Sequence, residues 1–593
     1  NYTMKQILYL LLGCLIPFQF LTAKMYSSPE RTPVDYVNPY IGNISHLLVP
    51  TYPTVHLPNS MLRVYPEREN FTGNTINGLP LIVTSHRGSS AFNLSPYQGE
   101  LQKAGSIIQY GYDNEVIKPY YYSVDLDDDG MYVQYAPSHQ SGIYQIDFSQ
   151  TDKPAYLIFN TRDGELKTDG KSISGYQKLG NHTQVYIYLE TDQQPLKIGT
   201  HQGAVIRTTD KSTQGHNAYY ILEYPKGTAS VLLRYGVSFI SSEQAKQNLR
   251  REIKNYNLQA VADKGRSVWN ETLGKIFVKG GTENEKTVFY TSLYRTYERM
   301  ICISEDGRYF SAYDGQVHDD EGIPFYVDDW IWDTYRATHP LRLIIETEME
   351  SNMVNSLIRM AYQMQPNWMP TFPEINGDSR RMNCNHGVAT VLDAYNKGMR
   401  SFDLAKAYQV CKAAITEKTL APWSSKPAGV LDQFYKDHGY FPALAVGEQE
   451  TVPEVHSWER RQPAAVTLGT VYDEWCLGNI AQALGDKKEA DYFLKRSLNY
   501  HKIFNKETCF FHPKDSFGNF IQPFDYRYSS GVGGRDAYDE NNGWVYRWDL
   551  PHNVADLVNM MGGKERFVEE LERMYSTPLG KGRPDFHHQF GDH

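Results

Sequence analysis

The pattern of hydrophobic and polar positions divides the chain into two parts that meet near residue 242. Between residues 33 and 241, short runs alternate apolar and polar side chains and are separated by turn residues, as in AYLIFN at 155–160 and TQVYIYL at 183–189. Alternation with a period of two is typical of strands that bury one face. We therefore predict an antiparallel β-sandwich domain over residues 25–241.

From residue 242 onward the pattern becomes helical. Residues 242–269 contain helix formers and few breakers, which predicts a linker of one long helix or a helix pair over 242–274. Further helices, separated by loops rich in Gly, Pro and aromatic residues, are predicted at 287–300, 333–343, 349–362, 390–397, 404–416, 468–484, 488–503 and 554–561. Many antiparallel helices without a repeat period indicate an (α/α)6 helical toroid over residues 275–593.

The first 24 residues have the layout of a secretory signal peptide. An apolar run over residues 7–21 follows Lys5 and is succeeded by Thr22 and Ala23. We predict export, with a secreted, periplasmic or outer-membrane-associated mature protein. The segment LLGC at 11–14 resembles a lipobox, so a lipid anchor on Cys14 remains open, although the residues after it stay apolar. No transmembrane span is predicted, because the run is too short.

Composition narrows the function classes. Lys and Arg total 59 against 69 Asp and Glu, and the basic residues are scattered, which argues against nucleic acid as a partner. Aromatic residues make up 13%, and rings with a polar handle suit the recognition of sugars. The 6 cysteines show no CxxC spacing, so we predict buried thiols rather than a zinc site or disulfides. Motifs of serine hydrolases, zincins and nucleotide-binding proteins are absent.

Two stretches combine carboxylates with aromatic residues. In YVDDWIWDTYR at 326–336, Asp333 and Arg336 could bind sugar hydroxyls while Trp332 stacks on the ring; helix capping by the Asp residues is the competing interpretation. In YDENNGWVYRW at 538–548, Glu540 follows a glycine-rich loop. Desolvation there would favour the protonated form that a general acid needs, and a structural capping role is the alternative. His386, in NCNH at 383–386, and the intrahelical YDEW at 472–475 are weaker candidates.

Several motifs, in order along the chain, resemble glycoside hydrolase family 92, the calcium-dependent exo-α-mannosidases of Bacteroidetes type. They include VNPYIG at 37–42, FYTSLY at 289–294, WDTYR at 332–336, YDEWC at 472–476 and YDENNGWVY at 538–546. The resemblance implies a β-sandwich packed on an (α/α)6 catalytic domain. It also implies an inverting hydrolase that removes terminal mannose, through an α-1,2 or related linkage, from mannose-containing glycans.

The resemblance also assigns roles to residues. Glu540 is the expected general acid, Asp333 binds mannose together with Trp332, and Arg336 and His386 are weaker substrate-binding candidates. Ca²⁺ is the expected cofactor, and its main ligands and the general base are expected beyond residue 593. The helical toroid is accordingly expected to be incomplete, and this chain alone to be inactive or unstable.

Three alternatives stay open from the sequence. Another (α/α)6 glycosidase and a glycoside phosphorylase share this architecture, and dependence on orthophosphate separates phosphorolysis from hydrolysis. An inactive glycan-binding homologue is the alternative outside the enzymes, because the expected base is missing from the chain.

Overall fold

The computed structural model describes residues 31–44, 51–68, 72–84, 90–126, 130–203, 205–527 and 536–577. The predicted signal peptide, the Cys14 anchor site and the glycine-rich loop before Glu540 lie outside the described residues, as does the end of the chain.

The described part of the N-terminal half consists of β-strands. They are β1 (Val55–His56), β2 (Arg63–Val64), β3 (Thr75–Asn77), β4 (Leu79–Pro80), β5 (Phe92–Tyr97), β6 (Gln109–Lys118), β7 (Tyr121–Leu126), β8 (Met131–Pro137), β9 (Ser141–Asp147), β10 (Ala155–Thr168), β11 (Ser172–Gly180), β12 (Thr183–Thr191), β13 (Lys197–Gln202), β14 (Val205–Arg207), β15 (Ser212–Tyr224) and β16 (Ser230–Ser238).

Fourteen of these strands form one antiparallel hydrogen-bonded network. Its order is β14-β13-β15-β10-β11-β12-β16-β9-β8-β7-β6-β3, and β4 and β5 join it through β10. Residues 156–161 of β10 pair with β5, whereas residues 164–168 pair with β11, and β15 runs along the other edge throughout. A strand that exchanges neighbours in this way lets the sheet fold into two layers. The result is the predicted antiparallel β-sandwich.

The alternation read from the sequence matches the burial of the strands. In β12, Val185, Ile187 and Leu189 are buried and their neighbours are partly exposed. These side chains join a hydrophobic core shared with residues of β8, β9 and β16.

The helical half follows directly. Its helices are α1 (Ser242–Glu252), α2 (Leu258–Leu273), α3 (Glu283–Arg295), α4 (Ile331–Thr334), α5 (Thr338–Ile345), α6 (Thr347–Gln363), α7 (Gly387–Asn396), α8 (Leu404–Thr416), α9 (Val430–His438), α10 (Pro463–Ala483), α11 (Lys487–Arg496), α12 (Gly543–Tyr546), α13 (Val554–Met560) and α14 (Lys564–Ser576). Short antiparallel pairs join β17 (Ile301–Cys302) to β20 (Tyr326–Val327), β18 (Arg308–Ser311) to β19 (Gln316–Asp319), β21 (Pro373–Glu374) to β22 (Gly377–Asp378), and β23 (Phe504–Asn505) to β24 (Phe510–Phe511).

Some sequence expectations need correction. Of the two alternatives left open for the linker, the structure has the helix pair, α1 and α2, and other expectations were wrong. The single helix predicted over 333–343 is wrong, because the chain forms α4 and α5 with a break between Thr334 and Thr338. Helices α9 and α14 and the four short strand pairs were not predicted. The prediction of buried thiols holds for Cys384, Cys411, Cys476 and Cys509, and Cys302 is a partly exposed free thiol.

The two halves pack directly on each other. The indole Nε1 of Trp269 in α2 donates a hydrogen bond to the backbone oxygen of His56 in β1 at 2.7 Å. Arg63 in β2 forms a buried ion pair with Asp328, 2.8 Å away, in the loop before α4. The sandwich therefore supports the loop that leads into the WDTYR motif.

Candidate active site

Four helices of the helical half begin close together. Asn383, just before α7, accepts a hydrogen bond from Trp332 Nε1 in α4 at 3.1 Å and donates one to Asp539 Oδ2 at 3.1 Å. The first turn of α10 joins the same group, since the backbone N–H of Ala464 donates to the oxygen of Ala537 at 3.0 Å. Loops that are distant in sequence thereby meet at one place.

A cavity of about 480 Å³ opens at this meeting point. This volume lies within the range of small-molecule sites. Its lining combines carboxylates, aromatic rings and a cation: Asp333, Asp539, Asp549, Trp332, Tyr546, Trp548, Tyr575, Arg336, Asn541, Val545, Pro551, Leu571 and Met574. Carboxylates beside aromatic rings can bind hydroxyl groups while a ring covers an apolar face.

Asp333 faces this cavity from α4. Its side chain is open to solvent through the cavity mouth. The surrounding protein still removes much of its hydration, and together with the negative charge of Glu540 this raises the pKa of Asp333 to about 7. Asp333 therefore titrates near neutral pH, well above the range in which an ordinary aspartate titrates.

Glu540 lies between two residues that line the cavity, Asp539 and Asn541, and is half-buried itself. Its backbone adopts a left-handed conformation with φ of 53°, which costs a glutamate roughly 1–2 kcal/mol. Such local strain persists only where the surroundings impose it.

The surroundings of Glu540 hold the loop at both ends. On one side, the hydroxyl of Tyr546 donates to the backbone oxygen of Asp539 at 2.9 Å. On the other, Asn542 caps α12 by accepting from the backbone N–H groups of Trp544 and Val545. The position of the Glu540 backbone is therefore defined by its neighbours in the chain.

Arg336 lines the cavity as a member of an ion pair. Its guanidinium lies 3.0 Å from Asp549 Oδ1, and the charge of Asp549 raises the pKa of Arg336. Asp549 carried no signal in the sequence beyond its position directly after the YDENNGWVYRW stretch. The pair makes this wall of the cavity locally neutral.

His386 is not among the residues that line the cavity. Its ring packs against Tyr335 with centroids 4.2 Å apart, and its Nδ1 lies 2.7 Å from Asp473 Oδ1. The second carboxylate oxygen of Asp473 accepts the backbone N–H of Asn385 at 2.7 Å. Asp473 belongs to the YDEW segment of α10, so the structure joins the two weaker sequence candidates to each other.

The comparisons with known proteins identify the family. A model of the glycosyl hydrolase family 92 N-terminal domain matches residues 36–238, and a model of the glycosyl hydrolase family 92 catalytic domain matches residues 244–591. The chain belongs to glycosyl hydrolase family 92. It is accordingly a glycoside hydrolase, and the cavity described above lies in its catalytic domain.

Solved family 92 structures share the fold. An inverting mannosidase of Bacteroides thetaiotaomicron superposes with a TM-score of 0.81 at 26% identity, covering 92% of this chain and 75% of that one. An α-mannosidase of the same bacterium, solved with mannoimidazole, also gives 0.81, at 21% identity, covering 93% of this chain and 75% of that one. A curated relative, an uncharacterized secreted glycosidase of Arthroderma benhamiae, is 22% identical over 95% of this chain and 77% of its own length. The predicted (α/α)6-type architecture is thereby confirmed.

In this family 92 chain, the structure brings together part of the predicted site. Trp332, Asp333 and Arg336 share one cavity, Glu540 adjoins it, and His386 lies outside its lining. The sequence reasoning missed Asp539, Asn541 and Asp549. The first two directly flank Glu540, so their position beside the expected acid was the only signal.

The described His, Cys, Asp and Glu side chains do not form a calcium site by themselves. Over the ranges given above, no group of three or more His, Cys, Asp or Glu side chains is arranged to hold a metal ion. Nor does any helix in the described ranges have the length and apolar character of a membrane span.

Proposed function

We propose that this family 92 protein is an exo-acting α-mannosidase that hydrolyses terminal mannose from glycans with inversion. The observation that carries the proposal is the coupling of Asp333 to Glu540 beside a cavity walled by tryptophan and tyrosine rings. The family 92 relative at 26% identity is an inverting mannosidase. That likeness supports the substrate and the stereochemistry.

In the proposed reaction, Glu540 donates a proton to the glycosidic oxygen as the bond to the leaving sugar breaks. A water molecule attacks the anomeric carbon from the opposite face, activated by a second carboxylate roughly 6.5–9.5 Å from the acid. That base is not assigned to any described residue. The strained Glu540 backbone and the hydrogen bonds that hold Asp539 and Asn542 favour one orientation of the acid.

Asp333 binds the mannose in this proposal. With a pKa raised to about 7 by loss of hydration and by the charge of Glu540, it can donate or accept a hydrogen bond to a sugar hydroxyl. The negative charge of Glu540 makes loss of the proton from Asp333 harder, so Asp333 can keep a proton for this hydrogen bond near neutral pH.

The leaving-group dependence of hydrolysis tests the role of Glu540. Glu540→Gln should lower mannose release from α-mannobiose by roughly 10²–10⁴-fold. It should lower hydrolysis of 2,4-dinitrophenyl α-mannoside far less, because that leaving group departs without a proton. Asp333→Asn should impair both substrates alike.

The matched control is Asp536→Asn, which removes an exposed carboxylate paired with Arg460 four residues before Glu540. It should leave both rates unchanged. Equal losses on both substrates for Glu540→Gln would show that Glu540 is not the acid. If Asp333→Asn alone spares the activated substrate, the two roles are exchanged.

Calcium and secretion complete the proposal. The resemblance to family 92 leads us to expect that EDTA abolishes activity and that added Ca²⁺ restores it. The curated relative named a secreted glycosidase supports export. Cell fractionation tests this, and palmitate labelling of wild type against Cys14→Ser distinguishes a lipid anchor from a cleaved signal peptide.

A further inference from the structure

One buried amide connects the two halves of the candidate site. Asn383 is only 4% exposed, and each of its polar atoms has a partner. Its Oδ1 accepts from Trp332, while its Nδ2 donates to Asp539 and, at 2.8 Å, to Gln462 Oε1. Trp332 directly precedes Asp333 in the chain, and Asp539 directly precedes Glu540.

The chemistry of the partners fixes the orientation of this amide. The indole of Trp332 can only donate a hydrogen bond, and an ionised Asp539 can only accept one. Gln462 Nε2 donates to Glu459 Oε2 at 2.9 Å, which turns its oxygen toward Asn383. Asn383 must therefore present its oxygen to Trp332 and its nitrogen to Asp539 and Gln462. An aspartate has no donor for these positions, and a leucine has neither a donor nor an acceptor.

We propose that Asn383 is a positioning residue that sets the spacing between Asp333 and the Glu540 loop. It contacts neither carboxyl group and acts through the residues before them. A displacement of about 1 Å between reacting groups can cost about 100-fold in rate. Loss of this link should therefore lower kcat strongly while it lowers the melting temperature no more than the loss of another buried asparagine does.

Kinetics of Asn383→Leu and Asn383→Asp test the proposal; for this readout it rests on the proposed function. Both variants should lower kcat on α-mannobiose at least tenfold, with KM changed less than threefold. Asn383→Asp places a second carboxylate against Asp539, so it should also move the alkaline limb of the pH–kcat profile upward by about one unit. A purely structural role would not move that limb.

The matched control is Asn248→Leu in the linker helix α1. Asn248 is also fully buried, and its Nδ2 donates to Val237 O and to Glu305 Oε2. The Asn248→Leu variant should have a lower melting temperature than wild type, with kcat unchanged. The proposal is overturned if the Asn383 variants keep kcat within twofold of wild type, or if the control shows the same ratio of kcat loss to stability loss.

Two further measurements cover the remaining outcomes. If neither Asn383 variant folds, Gln462→Met removes one partner of Asn383 and should lower kcat at least threefold; an unchanged kcat overturns the proposal.

If the wild type hydrolyses no mannoside, the proposed function fails, and crystal structures of wild type and Asn383→Leu decide instead. They should show the Asp539 carboxylate displaced by about 1 Å or more relative to Trp332; an unmoved loop would refute the positioning role.

Discussion

His339, three residues after the WDTYR segment, is enclosed between two carboxylates. Its Nε2 lies 2.7 Å from Asp329 Oδ2 and its Nδ1 lies 2.7 Å from Glu350 Oε1. All three residues are at most 1% exposed. Because both ring nitrogens face carboxylate oxygens, both must donate, and the ring is a cation. Burial alone lowers the pKa of His339, but the charges of Glu350 and Asp329 outweigh it and raise the pKa to about 9.

The raised pKa has a defined effect on stability. The ordinary histidine pKa is 6.5, and each pH unit corresponds to about 1.36 kcal/mol, so the protonated ring contributes about 3 kcal/mol to the free energy of unfolding. For a group whose pKa is higher in the folded state, this contribution is complete below pH 6.5. It is lost as the pH rises from 6.5 to about 9.

The substitution His339→Gln tests this reasoning. It leaves Asp329 and Glu350 buried without their shared cation, which typically costs about 3–5 kcal/mol. Urea unfolding followed by tryptophan fluorescence at pH 6 should show that loss. At pH 9.5 the gap between wild type and variant should be smaller by about 3 kcal/mol, because the wild type has then lost its own contribution.

His56 provides the matched control. It is equally buried, and desolvation lowers its pKa to about 4, so it is neutral across this range. His56→Gln should give a gap to wild type that does not change between pH 7 and 9.5. If the His339→Gln gap is also constant from pH 6 to 9.5, His339 is not a cation in the folded protein and the argument is refuted.

Three further predictions concern the site itself. Because the pKa of Asp333 is raised to about 7, its ionisation opposes folding at higher pH; Asp333→Asn should therefore raise the melting temperature at pH 8 but not at pH 4, with hydrolysis lost. Asparagine tolerates the left-handed φ of 53° at position 540 better than glutamate does, so Glu540→Asn should raise the free energy of unfolding by up to about 1 kcal/mol, whereas Glu540→Gln should not. If urea unfolding gives the same free energy of unfolding for both variants, the backbone of Glu540 is not strained. Asn542→Ala removes the cap of Trp544 and Val545 and should cost about 1 kcal/mol, while Asn542→Asp, which keeps the acceptor, should cost little by the same measurement.

Local patterns predicted the elements of this fold better than their arrangement. The alternation of Val185, Ile187 and Leu189 marked β12, but no local signal showed that β10 exchanges β5 for β11 along its length. Helical periodicity likewise predicted one helix over 333–343 where the structure has α4 and α5. Such a helix would place Pro340 in its interior, although a proline is tolerated only in the first turn of a helix. In the structure Pro340 is the third residue of α5 and so lies in its first turn.

The site shows the same limit more strongly. The motifs carrying Asp333 and Glu540 were recognisable, but only the fold brings them within electrostatic reach of each other. The pairing of Arg336 with Asp549 and the link through Asn383 depend on loops far apart in sequence. Hydrogen-bond partners of this kind leave no periodic trace, so sequence reasoning could not find them.

The candidate site and the residues near it in the chain include two residues whose state opposes folding and two that stabilise the folded protein, and substitutions distinguish the two groups. The raised pKa of Asp333 and the left-handed backbone of Glu540 both cost stability. The enclosed His339 cation and the cap at Asn542 both contribute it. Substitutions at the first two should therefore raise stability while abolishing hydrolysis, whereas substitutions at the last two should lower stability. A residue that takes part in the chemistry is expected in the first group, so a loss of stability in both Asp333→Asn at pH 8 and Glu540→Asn would argue against this location for the active site.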